Sequence, residues 1–95
     1  MRLLPRRRAA PPRRTPVSVL TLVTRDGCHL CEQAHPVAQE AAADAGLRFE
    51  LLDVDADPAL RPWSDKVPVV LLDGVEHAYW QVDRRALRQA LGLPV

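Results

Sequence analysis

Aromatic side chains are scarce, four in 95 residues, so a folded core has to be assembled from valine, leucine and alanine and will be small. Long apolar runs are missing. The run from Val17 to Val23 is far short of the roughly 18 to 20 residues that cross a bilayer, and it carries Ser18 and Thr21. A membrane-spanning helix is therefore excluded. Also absent is the apolar segment of roughly 7 to 15 residues that a secretory signal places after its basic start, so a cytoplasmic protein is expected. Cysteine is limited to one pair. A four-cysteine zinc site cannot form within one chain, and His29, His35 and His77 fall on different predicted elements without ligand spacing, so no metal site is expected.

The near-neutral total charge conceals two regions. Six of the thirteen basic residues lie within residues 1–16, together with four prolines and no acid. Such a segment repels itself and has little apolar surface to bury, which predicts a disordered Arg/Pro-rich arm. It reads as a dispensable tail before it reads as a nucleic-acid-binding arm, although clustered arginines suffice for non-specific phosphate binding. Residues 17–95 carry a net charge of −5 and have the length of one compact domain.

Within that domain the apolar pattern changes period several times. Residues 17–24 are almost all β-branched or leucine and are followed by Arg25-Asp26-Gly27, which predicts a buried strand and a turn. Leu30, Ala34, Val37, Ala38, Ala41 and Ala45 then recur at helical spacing, with Gly46 placed to close the helix and Pro36 placed to kink it or reset its start. Residues 47–54 read as a second strand. Asp57-Pro58 opens a short helix reaching about Trp63. Residues 67–72 form an apolar run, Asp73-Gly74 a two-residue hairpin turn, and residues 75–80 the returning strand. Asp83 caps a last helix whose inner face is expected to carry Ala86, Leu87, Ala90 and Leu91. The two tryptophans, Trp63 and Trp80, read as structural cover, with a stacking surface beside the site as the alternative. The order is β-α-β-α-β-β-α. A helical crossover makes the first two strands parallel and the hairpin makes the last two antiparallel, giving a four-stranded mixed sheet flanked by helices.

Both cysteines lie in Cys28-His29-Leu30-Cys31, directly after a strand and at the opening of a helix. On one helical turn the two side chains face the same way and can close a disulfide. Cys28 is at the helix amino end, where unpaired amides and the positive end of the dipole favour a thiolate. Its pKa is expected to fall from about 8.5 into the range of roughly 3.5 to 7.5, which makes Cys28 the nucleophile and Cys31 the resolving thiol. His29 is read as an electrostatic tuner or a solvated side chain. Other uses of the same pair stay open: a stabilising disulfide, half of a zinc site, a cluster shared between two chains, or a redox sensor without turnover.

Gly27-Cys28-His29-Leu30-Cys31, Pro36 five residues on, and Val67-Pro68 before an apolar strand together resemble the glutaredoxin-like proteins of the thioredoxin fold, over residues 17–93. The resemblance implies a thiol–disulfide oxidoreductase that reduces protein or low-molecular-weight mixed disulfides. It implies a cis peptide bond before Pro68, a Val67 backbone free to pair with substrate, and a basic Arg25 near the thiolate and an anionic ligand. Asp83 reads first as a helix cap and second as a holder of a ligand amino group. No bound cofactor is implied; glutathione or another low-molecular-weight thiol, or a reductase, would act as co-substrate to a chain expected to be monomeric. The sequence departs from glutaredoxins in having His29-Leu30 where Pro-Tyr is common and Trp80-Gln81-Val82 where a Gly-Gly pair precedes the last helix. It departs from thioredoxin in having apolar Val19, Leu20 and Leu22 where that protein has a buried aspartate.

Overall fold

A computed structural model describes residues 17–95; the Arg/Pro-rich segment 1–16 and its expected disorder lie outside the described residues. Strand β1 (Val19–Thr24) leads into helix α1 (His29–Ala45), strand β2 (Arg48–Asp53), a 3-10 helix α2 (Pro58–Trp63), strands β3 (Val69–Leu72) and β4 (Val75–Tyr79), and helix α3 (Arg84–Ala90). The sheet order is β2-β1-β3-β4. β1 is parallel to β2 and antiparallel to β3, and β3 is antiparallel to β4. β1 is thus an interior strand, as its largely apolar sequence suits.

The alternation of side chains along β1 divides the interior in two. Leu20 and Leu22 are fully buried against Ala34, Ala38, Ala41 and Ala42 of α1 and Leu87 of α3. Val23 turns to the opposite face with Val54, Leu60, Val69 and Leu71 under α2. The alanine stripe lets α1 lie close on the sheet, which compensates for the shortage of aromatic residues. Each fully buried leucine contributes about 1.5 to 3 kcal/mol relative to exposure.

Local chemistry sets the element ends. Gly46, in the left-handed region at φ 71°, closes α1 as expected. Asp73 and Gly74 both have positive φ, the conformation of the tight hairpin turn. The Asp73 carboxylate also accepts the backbone N–H groups of Ser18 and Val19, at 3.0 and 2.9 Å, anchoring the start of β1. Asp57 and Asp83 cap α2 and α3 by accepting the amides of Ala59 and Arg85.

Three expectations need correction. Pro36 does not reset the start of α1, which begins at His29 and runs through Pro36 to Ala45; Pro36 itself is exposed. On α3, Ala86 and Ala90 are exposed, while Leu87 and Arg88 are buried. Arg88 is buried because its guanidinium donates to Asp44 at 2.9 Å and to the carbonyl of Pro94 at 2.8 Å. Trp80, expected to end the returning strand, lies beyond the end of β4 with φ 64° and is 54% exposed.

Candidate active site

The β1–α1 connection places the cysteines. Gly27 adopts φ 73°, a region that strains any residue with a β-carbon, and the Cys28 amide bonds back to the Arg25 carbonyl at 3.3 Å. This turn delivers Cys28 to the N-cap of α1. There its Sγ accepts the backbone N–H of Cys31 at 3.1 Å, and its carbonyl accepts the Glu32 amide at 3.2 Å. The two cysteines are joined as a disulfide, with Cα atoms 5.2 Å apart. Cys28 is half-buried and Cys31 is 4% exposed, so an external disulfide meets Cys28 first.

The register of β3 brings the Val67–Pro68 segment to the same end of the sheet. Val23 pairs with Val69, which sets Pro68 level with Thr24, where β1 runs out toward Cys28. Pro68 is fully buried and its bond to Val67 is cis. Trp80 straps this segment down. Its amide donates to the carbonyls of Lys66 and Pro68, at 3.1 and 2.9 Å, and its indole N–H donates to the carbonyl of Asp65 at 2.9 Å. Lys66 adds an ion pair with Glu76 at 3.6 Å and lies 5.0 Å from the Tyr79 ring centre. Among the described residues, the backbone N–H and carbonyl of Val67 have no backbone partner.

Two depressions border the first turns of α1, and one of them is lined by both cysteines. One, of about 160 Å3, is lined by Cys28, Cys31, Arg25, Glu32 and His35. The other, of about 360 Å3, lies between α1 and the start of α3, lined by Leu30, Gln33, Trp80, Val82 and Asp83. Leu30 and Trp80 expose apolar surface there.

The remaining sequence-predicted residues are placed as follows. Arg25 lines the smaller cleft, but its guanidinium is turned to other partners: it grips Asp55 through Nε at 2.9 Å and a terminal nitrogen at 3.0 Å. It also donates to the carbonyl and Oγ of Ser64, at 3.1 and 2.8 Å. The hydrogen bonding between Arg25 and Asp55, reinforced by the charge of each partner, raises the Arg25 pKa above its ordinary value and lowers that of Asp55. His29 is exposed on the first turn of α1. Asp83 caps α3 at the rim of the larger groove. Asp55, Ser64 and His35 escaped the sequence reading as site residues. The Arg25 partners lie 30 and 39 positions away, with no motif to announce them. Among the described residues, no three histidine, cysteine or acidic side chains converge as a metal site.

A mixed sheet with a cysteine pair at the mouth of its first helix, and an X-Pro bond at the same sheet end, defines a thioredoxin-fold domain with a redox-capable dithiol. Comparison with known proteins gives the family directly: residues 19–92 match the glutaredoxin-like domain (DUF836), and the chain belongs to that family. An uncharacterized protein of Mycobacterium tuberculosis is 41% identical over 73 residues, covering 70% of this chain and 75% of its relative. Among solved structures, a structural-genomics target from X. campestris superposes with a TM-score of 0.58 at 37% identity, over 77% of this chain and 95% of the other. A point mutant of thioredoxin from Halobacterium salinarum gives 0.60 at 26% identity, over 80% of this chain and 73% of the other.

Proposed function

We propose that the protein is a dithiol oxidoreductase that reduces protein or low-molecular-weight mixed disulfides through Cys28 and Cys31. The observation that carries this reading is the placement of the two sulfurs. Cys28 is accessible and takes the position of a helix-capping oxygen, where a thiolate gains from backbone amides and the helix dipole, while Cys31 is buried one turn deeper. The Cys28 thiolate attacks a substrate sulfur and the other substrate sulfur leaves. Cys31 then attacks Cys28, forming the intramolecular disulfide and releasing the second reduced sulfur. A low-molecular-weight thiol such as glutathione, or a reductase, returns the pair to the dithiol.

The unpaired backbone of Val67, beside Pro68, offers an edge on which an extended substrate adds as a short strand. Arg25, His29 and Asp83 border the site and complete the substrate surface. The protein is read as a cytoplasmic monomer without a resident cofactor; among the described residues, no helix is long and apolar enough to cross a membrane.

The test is reduction of insulin, or of a mixed glutathione disulfide, by purified metal-free protein. Turnover by the wild type and none by Cys28→Ser supports the reading. Stoichiometric zinc or a brown chromophore in the protein as purified, with no turnover, contradicts it.

A further inference from the structure

Cys31 is 4% exposed, and its thiol must shed a proton before the sulfur can attack Cys28. Strand β1 brings no acid or base to it: Leu20, Leu22 and Val23 are apolar and fully buried, and the Thr21 hydroxyl is engaged with Glu50. The cleft of about 160 Å3, by contrast, is lined by both cysteines and by groups that exchange protons. At roughly 30 Å3 per molecule in the liquid, it has room for a short chain of waters.

The charged and titratable groups facing this cleft are Arg25 and Asp26 from the β1–α1 connection and Glu32 and His35 from α1. The side from β2 contributes Leu51, and Phe49 lies against the His35 ring; both are uncharged. Arg25 accepts no proton and is held by Asp55. A carboxylate, ordinarily near pKa ~4, is too weak a base by about four units to take a proton from a thiol near ~8.5. An imidazole, ordinarily near ~6.5, is within about two units. His35 follows Cys31 by four residues and so shares its helix face. Its ring stacks on Phe49, with centroids 5.7 Å apart and planes 18° from parallel, which fixes it in the cleft wall.

We propose that His35 accepts the Cys31 proton, through water in this cleft, during resolution of the mixed disulfide. This rests on the dithiol-exchange reading above. The Cys31 S–H bond breaks and its proton passes to the imidazole. The thiolate pair forms the Cys31–Cys28 bond, the bond from Cys28 to the substrate sulfur breaks, and that sulfur leaves with the electron pair and takes up a proton. The cysteine pair is oxidised by two electrons and the substrate reduced by two.

The experiment follows stoichiometric reaction of the reduced protein with dithiobis(nitrobenzoate), which releases one chromophore when Cys28 attacks and a second when Cys31 resolves. His35→Gln is compared with His35→Phe, which keeps a ring against Phe49. The expected result is an unchanged first phase in both variants and a second phase slowed about tenfold to a hundredfold near neutral pH. The pH profile of the wild-type second phase changes in both variants, while that of the first phase does not. A second phase with wild-type rate and pH profile in either variant overturns the role of His35. Loss of the first phase in the wild type would overturn the dithiol-exchange reading itself, and the role of His35 with it.

Discussion

The Sγ of Cys28 accepts the backbone N–H of Cys31 at 3.1 Å, so sulfur fills the place that a serine or aspartate oxygen takes at most helix starts. A backbone donor aimed at sulfur favours its anion once the disulfide is reduced. Cys28 is therefore expected to ionise well below the ordinary thiol value of about 8.5, within roughly 3.5 to 7.5. Ultraviolet absorbance of the thiolate against pH, in wild type and Cys28→Ser, measures this. A Cys28-dependent midpoint at about 8.5 or higher would contradict it.

Asp55 predicts a specific acid sensitivity. Its hydrogen bonds from Arg25 lower its pKa in the folded state, with burial acting in the opposite direction. A depressed folded value means that the contribution to stability is present above the unfolded pKa near ~4 and is lost as pH falls through the folded one. Both partners are substantially exposed, so the contribution is modest. Asp55→Asn should melt below the wild type at neutral pH, and the two melting curves should converge below about pH 4. Curves that stay parallel into acid would show that the pair does not stabilise the fold.

The interior has few large side chains, so each matters. Leu22→Ala, at a fully buried position between α1 and β1, is expected to cost about 2 to 5 kcal/mol. In a domain of this size that lowers the melting temperature by about 10 °C or more, measurable by circular dichroism.

Much of this arrangement was legible in the sequence because its determinants are local. The apolar run of β1, the alanine spacing of α1, the Asp73-Gly74 turn and the three capping residues each act within a few positions, and each element formed where expected. The cysteine pair was legible for the same reason, since its meaning depends on the strand before it and the helix it opens. What stayed hidden depends on distant partners. Arg88 is buried because Asp44, 44 positions away, meets its guanidinium. Arg25 turns to Asp55 and Ser64 for a similar reason. Trp80 leaves the strand because its amide and indole bond back to residues 65–68, which no periodicity reports.

Asp83 allows its two roles to be separated. Its carboxylate accepts the Arg85 amide at 3.0 Å, so Asp83→Ala should lose about 1 kcal/mol of stability, while Asp83→Ser, which can still cap, should lose little. Thermal melting reports the cap. A raised KM for a mixed glutathione disulfide in both variants would report contact with the ligand, and an unchanged KM in Asp83→Ser would confine Asp83 to capping.

The division of labour between the sulfurs is tested most directly by Cys31→Ser reacted with one equivalent of a disulfide substrate and analysed by intact-mass and peptide mass spectrometry. A stable mixed disulfide on Cys28, in a variant that retains the fold, is the predicted result. Failure of Cys28 to form any adduct, with Cys28→Ser reacting instead through Cys31, would contradict it.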